Sequence, residues 1–208
     1  MDTQENATTQ RGTPMVVFER FAALHPEGRK LCFGYVQRAK AARDEYDGLM
    51  DLWIGFAGWM ACITNADSDA AMVRYVRSSG RMAAAFEELR AADQEFNEAV
   101  EAFSRQWPVF KSQDVVRHYG ADYPYQFQNR GLFQAALRDD PRVKRNPENW
   151  SPENEVTWSD FLSVVYQVRC NLVHGWKSLT RPSDAALVAS SFELLGHYID
   201  RTNCLTWD

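Results

Sequence analysis

Long hydrophobic runs are missing from this chain of 208 residues. The most apolar stretch, WIGFAGWMACI at residues 53–63, has 11 residues. A helix that crosses a bilayer needs about 20, so no membrane span is expected. An excess of positive charge is missing too. Lys and Arg number 23 against 28 Asp and Glu, a formal net charge of -5. Whole-surface nucleic-acid binders are basic, so any such site here must be local. Paired cysteines are absent: Cys32, Cys62, Cys170 and Cys204 form no CxxC, which excludes zinc-ribbon and dithiol-redox motifs. Cys170 and His174 stand four apart on one helix face, but two ligands do not make a zinc site. The thiols are expected to be free, in a reducing compartment. The first ten residues, MDTQENATTQ, hold no apolar segment, so no secretory signal is expected and a cytoplasmic location follows. Alternation of period two is missing over any useful length, which leaves no strand to predict.

What is present is helical periodicity. The composition, 45% hydrophobic and 25% charged, supplies an ordinary globular core. Residues 1–13 are polar and aperiodic and are expected to be a disordered tail, with a single domain over 14–208. A short helix is expected near Val16–Leu24, ended by Pro26. From about Leu31 to Ile63 the pattern is helical, and Leu49, Leu52, Trp53, Phe56, Met60 and Ile63 form its apolar stripe. Gly48, Gly55, Gly58 and Cys62 run beside them. Glycine costs about 1 kcal/mol in a helix interior, so their repetition predicts close approach of another backbone.

A further helix is expected from Met82 to Trp107, ended by Pro108, with Glu87, Glu88, Arg90, Asp93, Glu95, Glu98 and Glu101 as its solvated face. Residues 108–157 break the pattern with five prolines and many rings, including Tyr119, Tyr123, Tyr125, Phe127, Phe133 and Trp150. They read as an ordered insertion with one short helix in GLFQAALRD, its rings forming a second small core rather than a base-stacking surface. Two helices follow. The first buries Phe161, Leu162, Val165, Val168 and Leu172 and stops at Gly175; the second, from Asp184 to Arg201, turns Leu187, Val188, Leu194, Leu195, Tyr198 and Ile199 inward. The expected fold is all-α, a helical bundle with an irregular aromatic- and proline-rich insertion.

Chemistry concentrates in YQVRCNLVHGWKS, residues 166–178. No acidic residue occurs between Asp160 and Asp184, and that window carries Arg169, His174, Lys177 and Arg181, a local patch suited to an anion such as phosphate. Asn171 and His174 share a helix face. Arg169 and His174 point about 140° apart on an ideal helix. Their convergence needs the long arginine arm, a helix that ends at His174, or two copies of the helix meeting across a two-fold axis. A purely structural reading stands beside this: cations near a helix C-terminus gain roughly 0.3–1 kcal/mol from its dipole. His25, His118 and His197 have no evident partners and are read as structural.

The segment WSDFLSVVYQVRCNLVHGWKS resembles the signature helix of the HEPN superfamily, in which an Arg is followed by four residues and a His, with a polar residue shortly after the Arg. YQVRCNLVHG is similar to the Apea-like and plasmid- or phage-defence types. MDLWIGFAGWMACIT resembles their first long helix, and residues 184–201 fit their last. The likeness covers roughly residues 36–203 and leaves 108–157 unmatched. It implies a HEPN-like bundle and a metal-independent endoribonuclease, active as a homodimer and serving as a toxin or in antiviral defence, with no cofactor. The implied catalytic residues are Arg169, Asn171 and His174; Lys177 and Arg181 are read either as solvated surface or as holding flanking phosphates of an RNA substrate. An antitoxin or regulatory partner is also implied. Some members carry a Tyr two residues after the motif His, which a nucleotidyltransferase antitoxin modifies; here that position is Trp176. A catalytically silent HEPN module that binds RNA, a nucleotide or a protein, and a plain helical dimerisation protein, are the competing readings.

Overall fold

A computed structural model of the chain describes residues 16–123, 130–175 and 182–208. The proposed tail at 1–13, Tyr125 and Phe127, and Trp176, Lys177 and Arg181 lie outside the described residues. Within them the chain forms ten α-helices and a two-stranded antiparallel sheet, so the all-α expectation holds apart from two very short strands. No helix among the described residues is long and apolar enough to cross a membrane.

The N-terminal half contains α1 (Glu19–Ala22), α2 (Pro26–Lys40), α3 (Glu45–Thr64) and α4 (Asp69–Arg77). Pro26 does not merely end the first helix; it occupies the first turn of α2, where its missing N–H costs nothing. The continuous helix expected over 31–63 is two helices. Asp44 breaks it, adopting extended backbone and accepting from the N–H groups of Tyr46 and Asp47 as the N-cap of α3. The glycine strip does what its spacing predicts at Gly55: an added Cβ would stand 2.7 Å from the backbone oxygen of Cys32 on α2. At Gly48 the close neighbour is the Phe192 ring instead.

Next come α5 (Gly80–Ala92) and α6 (Gln94–Ser104). The single helix expected from 82 to 107 is interrupted at Asp93, whose carboxylate accepts from the Phe96 N–H at 3.0 Å and caps α6. Two charges assigned to a solvated face therefore have structural work. Besides Asp93, Arg90 has a side chain only 11% exposed. It donates to the Val156 carbonyl, Asn97 and Glu101 at 2.7, 2.8 and 2.6 Å, fastening α5 to α6 and to the chain entering α9.

The insertion holds β1 (Val109–Phe110), α7 (Ser112–Tyr119), α8 (Arg130–Leu137) and β2 (Arg145–Asn146), with Val109 paired to Asn146 and Phe110 to Arg145. It has a small core of its own, as expected, but an aliphatic one: Val115, Leu137 and Val143 join Phe110, with Tyr119 and Tyr123 packed against them. Trp150 instead meets Trp107 edge to face at 4.9 Å and joins the main core.

Helices α9 (Trp158–Val173) and α10 (Pro182–Thr202) complete the fold, followed by a single 3-10 turn. α9 runs through the middle and touches α3, α4, α5, α10 and both strands. It is buried on nearly every side, unlike a surface helix with one apolar stripe. Phe161, Leu162, Val164, Val165 and Val168 are inaccessible to solvent. Trp158 and Tyr198 stack at 4.5 Å and spend their polar ends on the carbonyls of Val76 and Met82, as buried Trp and Tyr must.

Candidate active site

The last turns of α9 separate the three motif residues onto three bearings. Arg169 turns toward α3 and α4. Its guanidinium lies 3.2 Å from the Asp69 carboxylate and 5.7 Å from the centre of the Trp53 ring. Asp69 also accepts from the Trp53 indole N–H at 3.2 Å, and Tyr166 stacks on that indole at 5.6 Å. The Arg169 side chain is 22% exposed, and its Nε is buried without a hydrogen-bond partner among the described residues. The cradle is thus one carboxylate and one aromatic ring, leaving N–H capacity on the guanidinium unused. Burial, followed by the neighbouring Cys170, pushes the Tyr166 phenol up from its ordinary pKa, so it stays a neutral wall of the cradle.

Asn171 turns toward the insertion. It is 2% exposed. Its Oδ1 accepts from the Ser112 N–H at 3.1 Å and from Gln167 Nε2 at 3.0 Å, while its Nδ2 donates to the Phe110 carbonyl at 2.8 Å. These bonds fix the end of β1 and the start of α7 on α9. The imidazole of His174 is not among the partners of Asn171, although the two residues share a helix face. The resemblance implies a catalytic role for Asn171; the hydrogen bonds it makes here go to Ser112, Gln167 and Phe110.

His174 stands at the open end of α9. It is the C-cap, its N–H bonded to the Cys170 carbonyl, and Gly175 follows in the left-handed region with φ 71°. That conformation suits glycine, and His174 beside it is exposed. Beside it Val173 is 48% exposed. No hydrogen bond or ion pair joins His174 to Arg169 among the described residues. Lys177 and Arg181 lie outside the described residues. Among the described residues no group of three or more His, Cys, Asp or Glu is placed to hold a metal ion.

Sequence reasoning missed Asp69, the partner of Arg169, because α4 itself went unrecognised. It also missed a polar row on α9. Ser163 and Gln167 are each 6% exposed, and with Asn171 and His174 they follow at spacings of three and four along one face. That row was legible: a helix buried all round must place its polar residues against something polar. Of the histidines read as structural, His25 caps α2 by accepting from the Glu27 N–H. His197 meets Asp93 at 2.9 Å and packs on Phe96.

Compared with known proteins, the chain matches no family model, no curated protein and no solved structure.

Proposed function

We propose that the chain is one subunit of a homodimeric, metal-independent endoribonuclease of HEPN type, used as a toxin or in defence. The observation that carries this reading is the exposed imidazole of His174 at the end of α9, free of any carboxylate partner among the described residues, five positions after a partly exposed arginine. RNA brings its own nucleophile. The ribose 2′-hydroxyl attacks the adjacent phosphorus, its proton passes to a base, and the 5′-oxygen leaves with a proton from an acid. The products are a 2′,3′-cyclic phosphate and a 5′-hydroxyl. Histidine serves as that base or acid near neutral pH. Arginine offers a forked set of donors to the charge that gathers on the phosphorane. Arg169 is engaged with Asp69 and Trp53 while His174 stands exposed at the end of α9, which favours a composite site: His174 of one copy meets Arg169 of the other across a two-fold axis, with the exposed Val173 at the seam. Lys177 and Arg181 would then hold flanking phosphates, and an antitoxin would act by covering the helix end.

The Asp69–Arg169 ion pair favours a second reading, a silent HEPN module that binds RNA, a nucleotide or a protein without cutting, since a neutralised arginine has less to offer a phosphorane. Incubation of the purified chain with cellular RNA in EDTA separates the two. Cleavage that is lost in both His174→Ala and Arg169→Ala, with folding intact, supports the nuclease. Identical RNA in all lanes, together with harmless expression in cells, supports the silent module.

A further inference from the structure

A cleft of about 1120 Å³ opens between the insertion and the polar face of α9. It is larger than the roughly 300–1,000 Å³ of most ligand pockets. Its floor is polar: Ser163 and Gln167 come from α9, and Gln167 Oε1 accepts from Asn146 of β2 at 3.1 Å. From the last turn of α4, Arg77 leans over this floor and donates a single N–H to Ser163 Oγ at 3.2 Å. Its other donors have no partner among the described residues. On the insertion side, Arg138 and Lys144 line the cleft, and their side chains have no ion pair or hydrogen bond among the described residues. Trp150 supplies a flat ring in the wall.

The carboxylates of the cleft are placed differently. Asp140 is taken up by Arg142 at 2.7 Å, and Asp160 bonds the Thr157 hydroxyl at 2.7 Å. Asp139 and Glu148 are exposed. Two cations without a partner among the described residues, a third that spends one N–H on Ser163, a hydrogen-bonding floor and an aromatic plate ask for a ligand that is anionic, rich in polar edges and partly flat. A continuous polynucleotide fits less well. β1 crosses α9 at Asn171, between Gln167 and His174, and closes the floor of the cleft toward the end of the helix.

We propose that this cleft binds a nucleoside phosphate. Arg77, Arg138 and Lys144 hold the phosphates, Trp150 covers the base, and Ser163 and Gln167 meet the sugar or base edge. The site is distinct from the end of α9 and does not rest on the nuclease reading. Isothermal titration of the full chain with ATP and with GTP tests it, with adenosine and inorganic phosphate as reference probes. The expected result is binding of at least one triphosphate, weaker or no binding of adenosine and phosphate, and affinity lowered about tenfold or more by Lys144→Ala and by Arg77→Ala, the loss of a charged hydrogen bond. Lys144 is exposed, so its variant keeps the fold. Absence of heat with both triphosphates, or affinity untouched by either substitution, overturns the proposal. So does an RNA oligonucleotide that binds through Lys144 and Arg77 where the triphosphates do not.

Discussion

At the scale of the residue, three neighbours on one helix carry three different burdens. Asn171 is a fastener. Asn171→Ala strands the Ser112 N–H, the Phe110 carbonyl and the Gln167 amide, each of them buried or nearly so. The expected cost is about 1–3 kcal/mol, read as a lower midpoint in urea. Among the described residues His174 fastens nothing beyond its own backbone, so His174→Ala should shift that midpoint by no more than about 0.5 kcal/mol. If the two variants are equally destabilised, the division of roles argued above is wrong. Arg169 lies between these cases, held by Asp69 but not enclosed. On the nuclease reading, Asp69→Asn releases the guanidinium toward a phosphate and should raise the initial rate of RNA cleavage. A fall in rate would instead make Asp69 the group that positions Arg169.

At the scale of the element, caps and close approaches decide where helices begin, end and touch. Gly55→Ala places a methyl against the Cys32 carbonyl, and because backbone has to yield, about 1–3 kcal/mol should be lost. Asp93→Ala removes the cap of α6 and the partner of His197 together, and the cap alone is worth about 1 kcal/mol. Thermal melts check both. The same features show what the sequence could tell. The apolar stripes of α3, α9 and α10 were legible because period and composition agree over many turns. The breaks at Asp44 and Asp93 were not, because an aspartate in a charged run looks like surface until its carboxylate is seen to accept backbone N–H groups. α4 and α7 are short, and too few of their residues face inward to draw a stripe. Of the candidate site, the run without acidic residues between Asp160 and Asp184 is a property of the sequence itself. The Asp69 partner and the engagement of Asn171 depend on contacts between distant segments.

At the scale of the whole molecule, pH and symmetry are the handles. Arg142, through side-chain and backbone hydrogen bonds, holds the Asp140 carboxyl down at about 2, below its usual 3.8. The Phe96 N–H, and then His197, hold Asp93 below its ordinary value as well. A depressed carboxylate stabilises the fold above its unfolded pKa, and that contribution is lost as pH falls through the folded pKa. Melting temperature should therefore drop as pH is lowered from about 4 toward 2, and Asp140→Asn should flatten part of that slope. Symmetry is tested by mixing. If each active site takes Arg169 from one copy and His174 from the other, inactive Arg169→Ala and His174→Ala chains, unfolded and refolded together, should recover about a quarter of wild-type activity. Recovery of none would place both groups in a single chain.

The central claim is that the end of α9 lets RNA cut itself through its own 2′-hydroxyl. The most direct measurement is cleavage of a short single-stranded RNA in EDTA beside the same oligonucleotide with 2′-deoxy sugars throughout. Fragments with 2′,3′-cyclic phosphate and 5′-hydroxyl ends are expected from the first, none from the second, and none from either with His174→Ala. Cleavage of the deoxy oligonucleotide, or undiminished cleavage by His174→Ala, would contradict it.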